Sequence, residues 1–217
     1  MEQIQLLHVD DSLVLCVKPV GVLSQARKPG EGSMVSKLEV QLGGDIYPIH
    51  RLDLEVGGLM VYARTKSAAG ELSRQLQQGQ LKKEYLAVLT GSPTEPEGLL
   101  EDLLFYDRSR NKTYVVKRKR KGVREALLRY RTLDFLEGRT LVQVRLLTGR
   151  THQIRAQFAS RGLPLEGDGR YGGGGGKPQL WSMALTMAVP GQGQIRYTAL
   201  PEKLGPFTAL LEPPPLL

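Results

Sequence analysis

Arg139-Thr140-Leu141-Val142-Gln143-Val144-Arg145-Leu146-Leu147 runs directly into Thr148-Gly149-Arg150-Thr151-His152-Gln153-Ile154-Arg155, and the change of period between the two halves decides the fold. In the first half Thr140, Val142, Val144 and Leu146 alternate with Leu141, Gln143, Arg145 and Leu147. A period of two places successive side chains on opposite faces of a strand. In the second half Ile154 and Phe158 stand four apart, the spacing of one helix face, and Arg161-Gly162 closes the run. Arg155 follows Ile154 at the border of that apolar face, where a cation is placed to reach inward.

Upstream of this strand-to-helix turn, residues 113–118 and 125–133 also read as strands, with the basic run 117–121 and Gly122 between them. That spacing predicts a protruding hairpin with the basic run at its tip. Lys82–Leu89 is a further strand that puts Tyr85, Ala87 and Leu89 on one face. Residues 13–17 and 59–63 are continuous apolar runs short enough to be buried strands, the first closed by Lys18-Pro19. Ser33 caps a helix through Leu42 that Gly43-Gly44 stops. A second helix starts at Thr65 or Ser67, repeats Ala68, Leu72 and Leu76, and ends at Gly79.

The segment from Gly91 to Gly98, with Pro93 and Pro96, reads as a loop too short to separate domains. Residues 162–177 are glycine-dense; a phosphate-loop reading fails because Tyr171 and Pro178 occupy positions where that motif needs Gly and Ser or Thr. A flexible surface loop is expected there, then a short core element at 180–185. Hairpin-linked strands without a steady strand-helix rhythm predict an α+β fold with a mixed, mostly antiparallel sheet flanked by helices. One domain over residues 1–217 is expected, with a core of about 10–207 and a flexible tail at 208–217.

The formal charge is +8, and it is unevenly placed. Residues 108–131 hold eleven Lys or Arg against the single acid Glu125, so the remainder of the chain is slightly acidic. A localised basic patch fits a polyanion, although a solvated surface with no partner has the same composition. The one cysteine, Cys16, lies in an apolar run and reads as a small buried hydrophobe, consistent with a reducing compartment. With no 20-residue apolar stretch and no signal-peptide core, a soluble cytoplasmic monomer without membrane contact is expected.

Chemistry concentrates at His50-Arg51-Leu52-Asp53-Leu54-Glu55-Val56-Gly57-Gly58, just ahead of the apolar strand. An acid at the edge of a rigid element beside two glycines can meet a ligand closely, and a salt-bridged turn has the same composition. His8, His50 and His152 are far apart and no His-Glu-x-x-His occurs, so the sequence predicts no metal site. A serine hydrolase lacks its Gly-x-Ser-x-Gly elbow. Asp53 and Glu55 could serve as paired carboxylates of a glycosidase, but that chemistry has no use for the basic patch.

His50-Arg51-Leu52-Asp53, Lys83-Glu84-Tyr85-Leu86-Ala87, Leu147–Arg155 and Gly167-Asp168-Gly169-Arg170-Tyr171-Gly172 occur in this order. Together with Lys18-Pro19-Val20-Gly21 and Ala199-Leu200-Pro201, they resemble the ordered motifs of the RluA family of RNA pseudouridine synthases. The resemblance covers roughly residues 10–207. It implies a pseudouridine-synthase catalytic domain that isomerises uridines in ribosomal or transfer RNA without cofactor or metal. It further implies that Asp53 is the catalytic aspartate, Tyr85 the tyrosine contacting the target base, and Arg155 the arginine paired with the aspartate.

Arg51 is implied to enter the RNA where the base has left, with His50 and Arg150 as further substrate-binding residues. Lys117, Arg118, Lys119, Arg120 and Lys121 are expected to hold the RNA backbone. The reaction breaks the bond from ribose to uracil nitrogen 1 and rejoins the base at carbon 5, which suits an ionised carboxylate as nucleophile or as partner to a developing cation. Asp168, flanked by glycines, reads as a turn residue outside the catalytic set.

The sequence departs from the family pattern at Val56-Gly57, where Thr-Ser is usual, at Gln157, where His is frequent, and at Trp181-Ser182, where Leu-His is common. The first departure removes hydroxyls that could brace the loop behind Asp53. An RNA-binding protein of the same fold with lapsed catalysis is the alternative reading. No RNA-binding domain is expected ahead of Leu13, so RNA recognition is expected within the catalytic domain.

Overall fold

The computed structural model describes residues 3–189, 193–208 and 213–217. The chain opens with β1 (Leu6–Val9), β2 (Leu13–Lys18), α1 (Met34–Leu42), β3 (Tyr47–Pro48), β4 (Gly57–Ala63) and α2 (Lys66–Gln77). Next come β5 (Lys82–Thr90), β6 (Glu97–Asp107), β7 (Lys112–Val116), β8 (Val123–Leu136), β9 (Arg139–Leu146) and α3 (Gln153–Ala159). The last elements are β10 (Leu180–Val189), β11 (Gly193–Thr198), β12 (Lys203–Leu204) and β13 (Phe207–Thr208). The fold is α+β, and among the described residues the strand pairings with a described register are antiparallel. Among the described residues no helix is long and apolar enough to cross a membrane.

Contacts divide the chain into two compact units, Met1–Lys82 with Ser182–Leu200, and Lys83–Trp181 with Pro201–Leu217. The first unit orders its strands β1-β2-β4-β10, with β11 on β10 and β3 on β4. All seven residues of β4 are buried, as its unbroken apolar run requires for a strand covered on both faces. Leu13, Leu15, Leu59, Val61, Leu185 and Met187 pack with Leu72 of α2. Helix α1 starts at Ser33 through a reciprocal capping box with Ser36 and stops at Gly43. Thr65 caps α2 by accepting from the Ala68 amide.

The second unit orders its strands β5-β9-β8-β6-β7. Strand β6 falls where the sequence reading placed only the end of a loop, and it changes the meaning of the basic run. Both β7 and β8 pair with β6, so β7 and β8 are not hairpin partners. The basic hairpin is β6–β7, turning through Arg108–Asn111, and residues 117–121 form the connection from β7 to β8 rather than a hairpin tip. The expected tip required two strands to pair directly, and the long β6 takes both edges instead.

Residues 166–179 form no helix or strand, and Gly172 and 174–177 are exposed, so the segment is a surface loop, but one tied to β5. The Glu166 amide donates to the Val88 carbonyl (2.9 Å) and the Val88 amide to the Gln179 carbonyl (3.0 Å). Gly173 is buried in this winding, where a Cβ would run into the Leu165 carbonyl. Of the expected flexible tail, residues 209–212 lie outside the described residues. The Leu217 amide donates to Glu84 Oε1 (3.0 Å), and Gln143 Nε2 donates to the Pro215 carbonyl (2.8 Å).

Candidate active site

Asp53 sits half-buried in the loop between β3 and β4, and that loop is braced from both sides. Upstream, the buried Ser24 hydroxyl accepts from the Leu52 amide (3.0 Å) and donates to the Leu52 carbonyl (3.0 Å). Tyr62 Oη fixes Ser24 in turn by donating to its carbonyl (3.0 Å). Downstream, the Leu54 carbonyl accepts from the Gly21 amide (2.8 Å) and from Lys18 Nζ (3.3 Å). The Val56 amide closes a turn onto the Asp53 carbonyl (3.1 Å).

Lys18 is fully buried and its ammonium also donates to the Pro19 and Val22 carbonyls (3.0 and 2.6 Å). Burial pulls its pKa down to about 8, and the charge of Asp53 acts in the opposite direction. The Lys-Pro that reads as a strand stop is therefore also an anchor for the Asp53 loop. These contacts supply bracing that the missing Thr-Ser hydroxyls at Val56-Gly57 do not. Gly58, at φ +113°, is required because a Cβ would strike the Ser182 backbone, while the Ser182 hydroxyl donates to the Leu59 carbonyl (2.9 Å). The departure at Ser182 thus has a structural use. His50 is buried, with Nε2 accepting from the Val61 amide (3.4 Å), and Arg51 is exposed.

In the second unit Tyr85 lies on β5 opposite Val144 of β9 and is 5% exposed. Arg155 is 2% exposed on α3, inward as its position after Ile154 predicts. Its Nε and Nη2 donate to Asp168 Oδ2 and Oδ1 at 2.6 and 2.8 Å, a two-pronged ion pair. Asp168 is therefore not simply a turn residue. It is 1% exposed and bound to a catalytic candidate.

The same motif contributes Tyr171, whose ring lies 5.2 Å from the Arg155 guanidinium carbon. Tyr171 Oη accepts from the Thr113 amide of β7 (2.7 Å) and lies 3.1 Å from His152 Nδ1. Burial pushes the Tyr171 phenol up to about 12. His152 adopts the left-handed conformation, φ +51°, as the chain turns into α3. Gln157, the other departure, donates through Nε2 to Asp102 Oδ2 (2.8 Å) and to the Leu100 carbonyl (3.2 Å), tying α3 to β6.

Lys117, Arg118, Lys119, Arg120 and Lys121 are all exposed. Lys119 pairs with Glu125 (2.5 Å) and the Arg120 guanidinium carbon stacks 4.8 Å from the Phe105 ring, so both are partly engaged within the protein. Arg150 is exposed, with Nε donating to the Glu125 carbonyl (2.9 Å). Among the described residues no cluster of three or more His, Cys, Asp or Glu could hold a metal ion.

Sequence reasoning missed Lys18, Ser24, Asp168 and Tyr171 as parts of this machinery. Asp168 and Tyr171 had one available signal, a shared motif beside a buried arginine that needs a counter-charge. Ser24 lies in no motif, and nothing local marks it.

The arrangement has the architecture of a solved human protein, RNA pseudouridylate synthase domain containing 1, at a TM-score of 0.78 over 97% of this chain and 91% of that one. Identity there is 19%, so that likeness speaks for the fold. Residues 12–160 match the family model for RNA pseudouridylate synthase, and the chain belongs to that family. It is 33% identical over 172 residues to the dual-specificity RNA pseudouridine synthase RluA of Escherichia coli, covering 76% of each chain. It is 31% identical over 180 residues to an uncharacterised RNA pseudouridine synthase of Bacillus subtilis. That match takes in 79% of this chain and 59% of the relative's length.

Proposed function

We propose that this protein converts uridine to pseudouridine in structured RNA, ribosomal or transfer, with Asp53 as the catalytic carboxylate. The observation that carries the reading is Asp53 itself. Within the region matched to the family model, His50-Arg51-Leu52-Asp53 presents a half-buried carboxylate on a loop anchored at Leu52 and Leu54. Fixing a nucleophile on a rigid support lowers the entropy lost in reaching the attack geometry.

The remaining roles follow the family resemblance, residue by residue. Tyr85 offers a ring for base stacking, worth about 1–3 kcal/mol per base in comparable sites, and a hydroxyl that can help move the carbon 5 proton. By the family resemblance Arg155 is the arginine paired with the aspartate, and its guanidinium is held through Nε and Nη2 by Asp168. Arg51, exposed beside Asp53, fills the stack after the target uridine leaves it, a step that costs a few kcal/mol and least in loops. The exposed cations at 117–121 supply backbone contacts that offset this. Monomeric, metal-free action in the cytoplasm completes the proposal.

The test is to incubate unmodified ribosomal and transfer RNA transcripts with the protein and quantify pseudouridine in nucleoside digests. Pseudouridine at discrete positions, absent with Asp53→Asn, is expected. Tight RNA binding with no pseudouridine would replace this reading with that of a catalytically lapsed RNA-binding protein.

A further inference from the structure

Lys83 is a charged side chain in a place that does nothing for its charge. It is 9% exposed on β5, and among the described residues its ammonium has no hydrogen-bond or ion-pair partner. The adjacent acid does not serve, because successive strand side chains point to opposite faces. Glu84 instead accepts from Gln143 Nε2 and from the Leu217 amide (both 3.0 Å). Burial depresses the Lys83 pKa to about 8, and the charge of Arg150 acts in the same direction. A buried ammonium with a second cation nearby opposes folding unless an anion joins it.

Backbone geometry keeps the place open. Lys83 Nζ crosses over Gly149, where an added Cβ would lie 2.7 Å away. Arg150, the next residue, is held through Nε on the Glu125 carbonyl (2.9 Å) and through its amide on Gln153 Oε1 (3.0 Å). Gln153 also donates from Nε2 to the Leu127 carbonyl (3.0 Å), so the Gly149–Arg150 turn is fixed to β8. By the period of two, Lys83 and Tyr85 share a face of β5, with Cβ atoms roughly 7 Å apart.

We propose that Lys83 and Arg150 form an anion subsite that takes an RNA phosphodiester adjoining the nucleotide stacked on Tyr85. The inference rests on the functional reading above for the identity of the polyanion, and it adds a contact that reading does not contain. A phosphodiester supplies one negative charge and acceptor oxygens for the ammonium and the guanidinium, which removes the like-charge repulsion on binding. Lys83 is already buried and Arg150 Nε is already held on the Glu125 carbonyl, so little side-chain ordering is added at the moment of binding.

The test uses the full chain, oligouridylate as probe, and binding followed by fluorescence anisotropy across a salt series. Lys83→Met should weaken binding about tenfold and flatten the slope of log affinity against log salt by about 0.7, one phosphate contact on a single strand. Its melting temperature should equal or exceed that of the wild type, because an uncompensated buried charge has been removed. Gly149→Ala keeps the charge but pushes the flexible end of Lys83 from its place, and should weaken binding a few-fold. It decides the matter should Lys83→Met fail to fold.

Unchanged affinity and salt slope in the folded variants would overturn the subsite, and a lower melting point with an unchanged slope would assign Lys83 to the scaffold. Pseudouridine formation by the wild type is scored separately. Activity with unchanged slopes removes only the subsite, whereas a flattened slope without any activity keeps the subsite and removes the enzymatic reading.

Discussion

Replacing Asp168 by alanine should be among the most damaging single changes in the second unit, although the residue lies in a glycine-rich segment. Its carboxylate accepts from Arg155 at 2.6 and 2.8 Å, with side-chain exposures of 1% and 3%. Removing one partner of a buried pair costs about 3–5 kcal/mol, mostly because the other charge keeps its desolvation penalty. At about 2–4 °C per kcal/mol for a chain of this size, the melting temperature should fall by about 6–20 °C. Asp168→Asn keeps the shape and one acceptor and should lose less. Arg155→Met in the Asp168→Ala background should recover part of the loss, because the cation that lost this partner goes too. Thermal melts of the four proteins are the assay. An Asp168→Ala protein melting within about 2 °C of wild type would refute the argument that this pair holds Arg155.

Three other expectations concern distinct features. Gly58→Ala adds a methyl group against the Ser182 carbonyl at φ +113° and should destabilise by about 2–4 kcal/mol in urea titrations, whereas Gly44→Ala, where a Cβ meets nothing within 4 Å, should cost less. Lys18 and Lys83 both have folded pKa values of about 8 against 10.5 unfolded, so between those values the unfolded chain binds more protons and stability rises with pH. The rise is at most about 1.4 kcal/mol per pH unit for each lysine, and Lys83→Met should reduce it when urea midpoints at pH 7.5 and 9.5 are compared. Neutralising Lys117, Arg118 and Lys121 together should flatten the salt dependence of RNA binding by about 2–3 in slope, and an unchanged slope would point the patch away from RNA.

Elements with a clean period or a cap were legible from sequence alone. Ser33 and Gly43 bound α1, Thr65 starts α2, and the unbroken apolar run of β4 is buried throughout. The inward position of Arg155 followed from its neighbour Ile154. Strand β6 was not legible, because Leu99-Leu100-Glu101-Asp102-Leu103-Leu104 pairs its leucines instead of alternating them. Its Gly98 reads as a turn but passes beneath the Tyr130 ring, 2.9 Å from where a Cβ would stand.

Asp168 was hidden for a different reason. An acid between glycines satisfies every local rule for a turn, and its partner is thirteen residues away on a helix. Lys18 was concealed by its own proline: Lys-Pro ends a strand, and nothing local shows the ammonium gathering three carbonyls. What the sequence leaves out in each case is a long-range polar contact, which no periodicity encodes.

The central claim is that Asp53 performs the isomerisation, and release of tritium from RNA labelled at uridine carbon 5 reads that step directly. Wild-type protein should release tritium from cellular RNA carrying unmodified sites, and Asp53→Asn, with its melting temperature preserved, should release none. Undiminished release by Asp53→Asn would contradict the account.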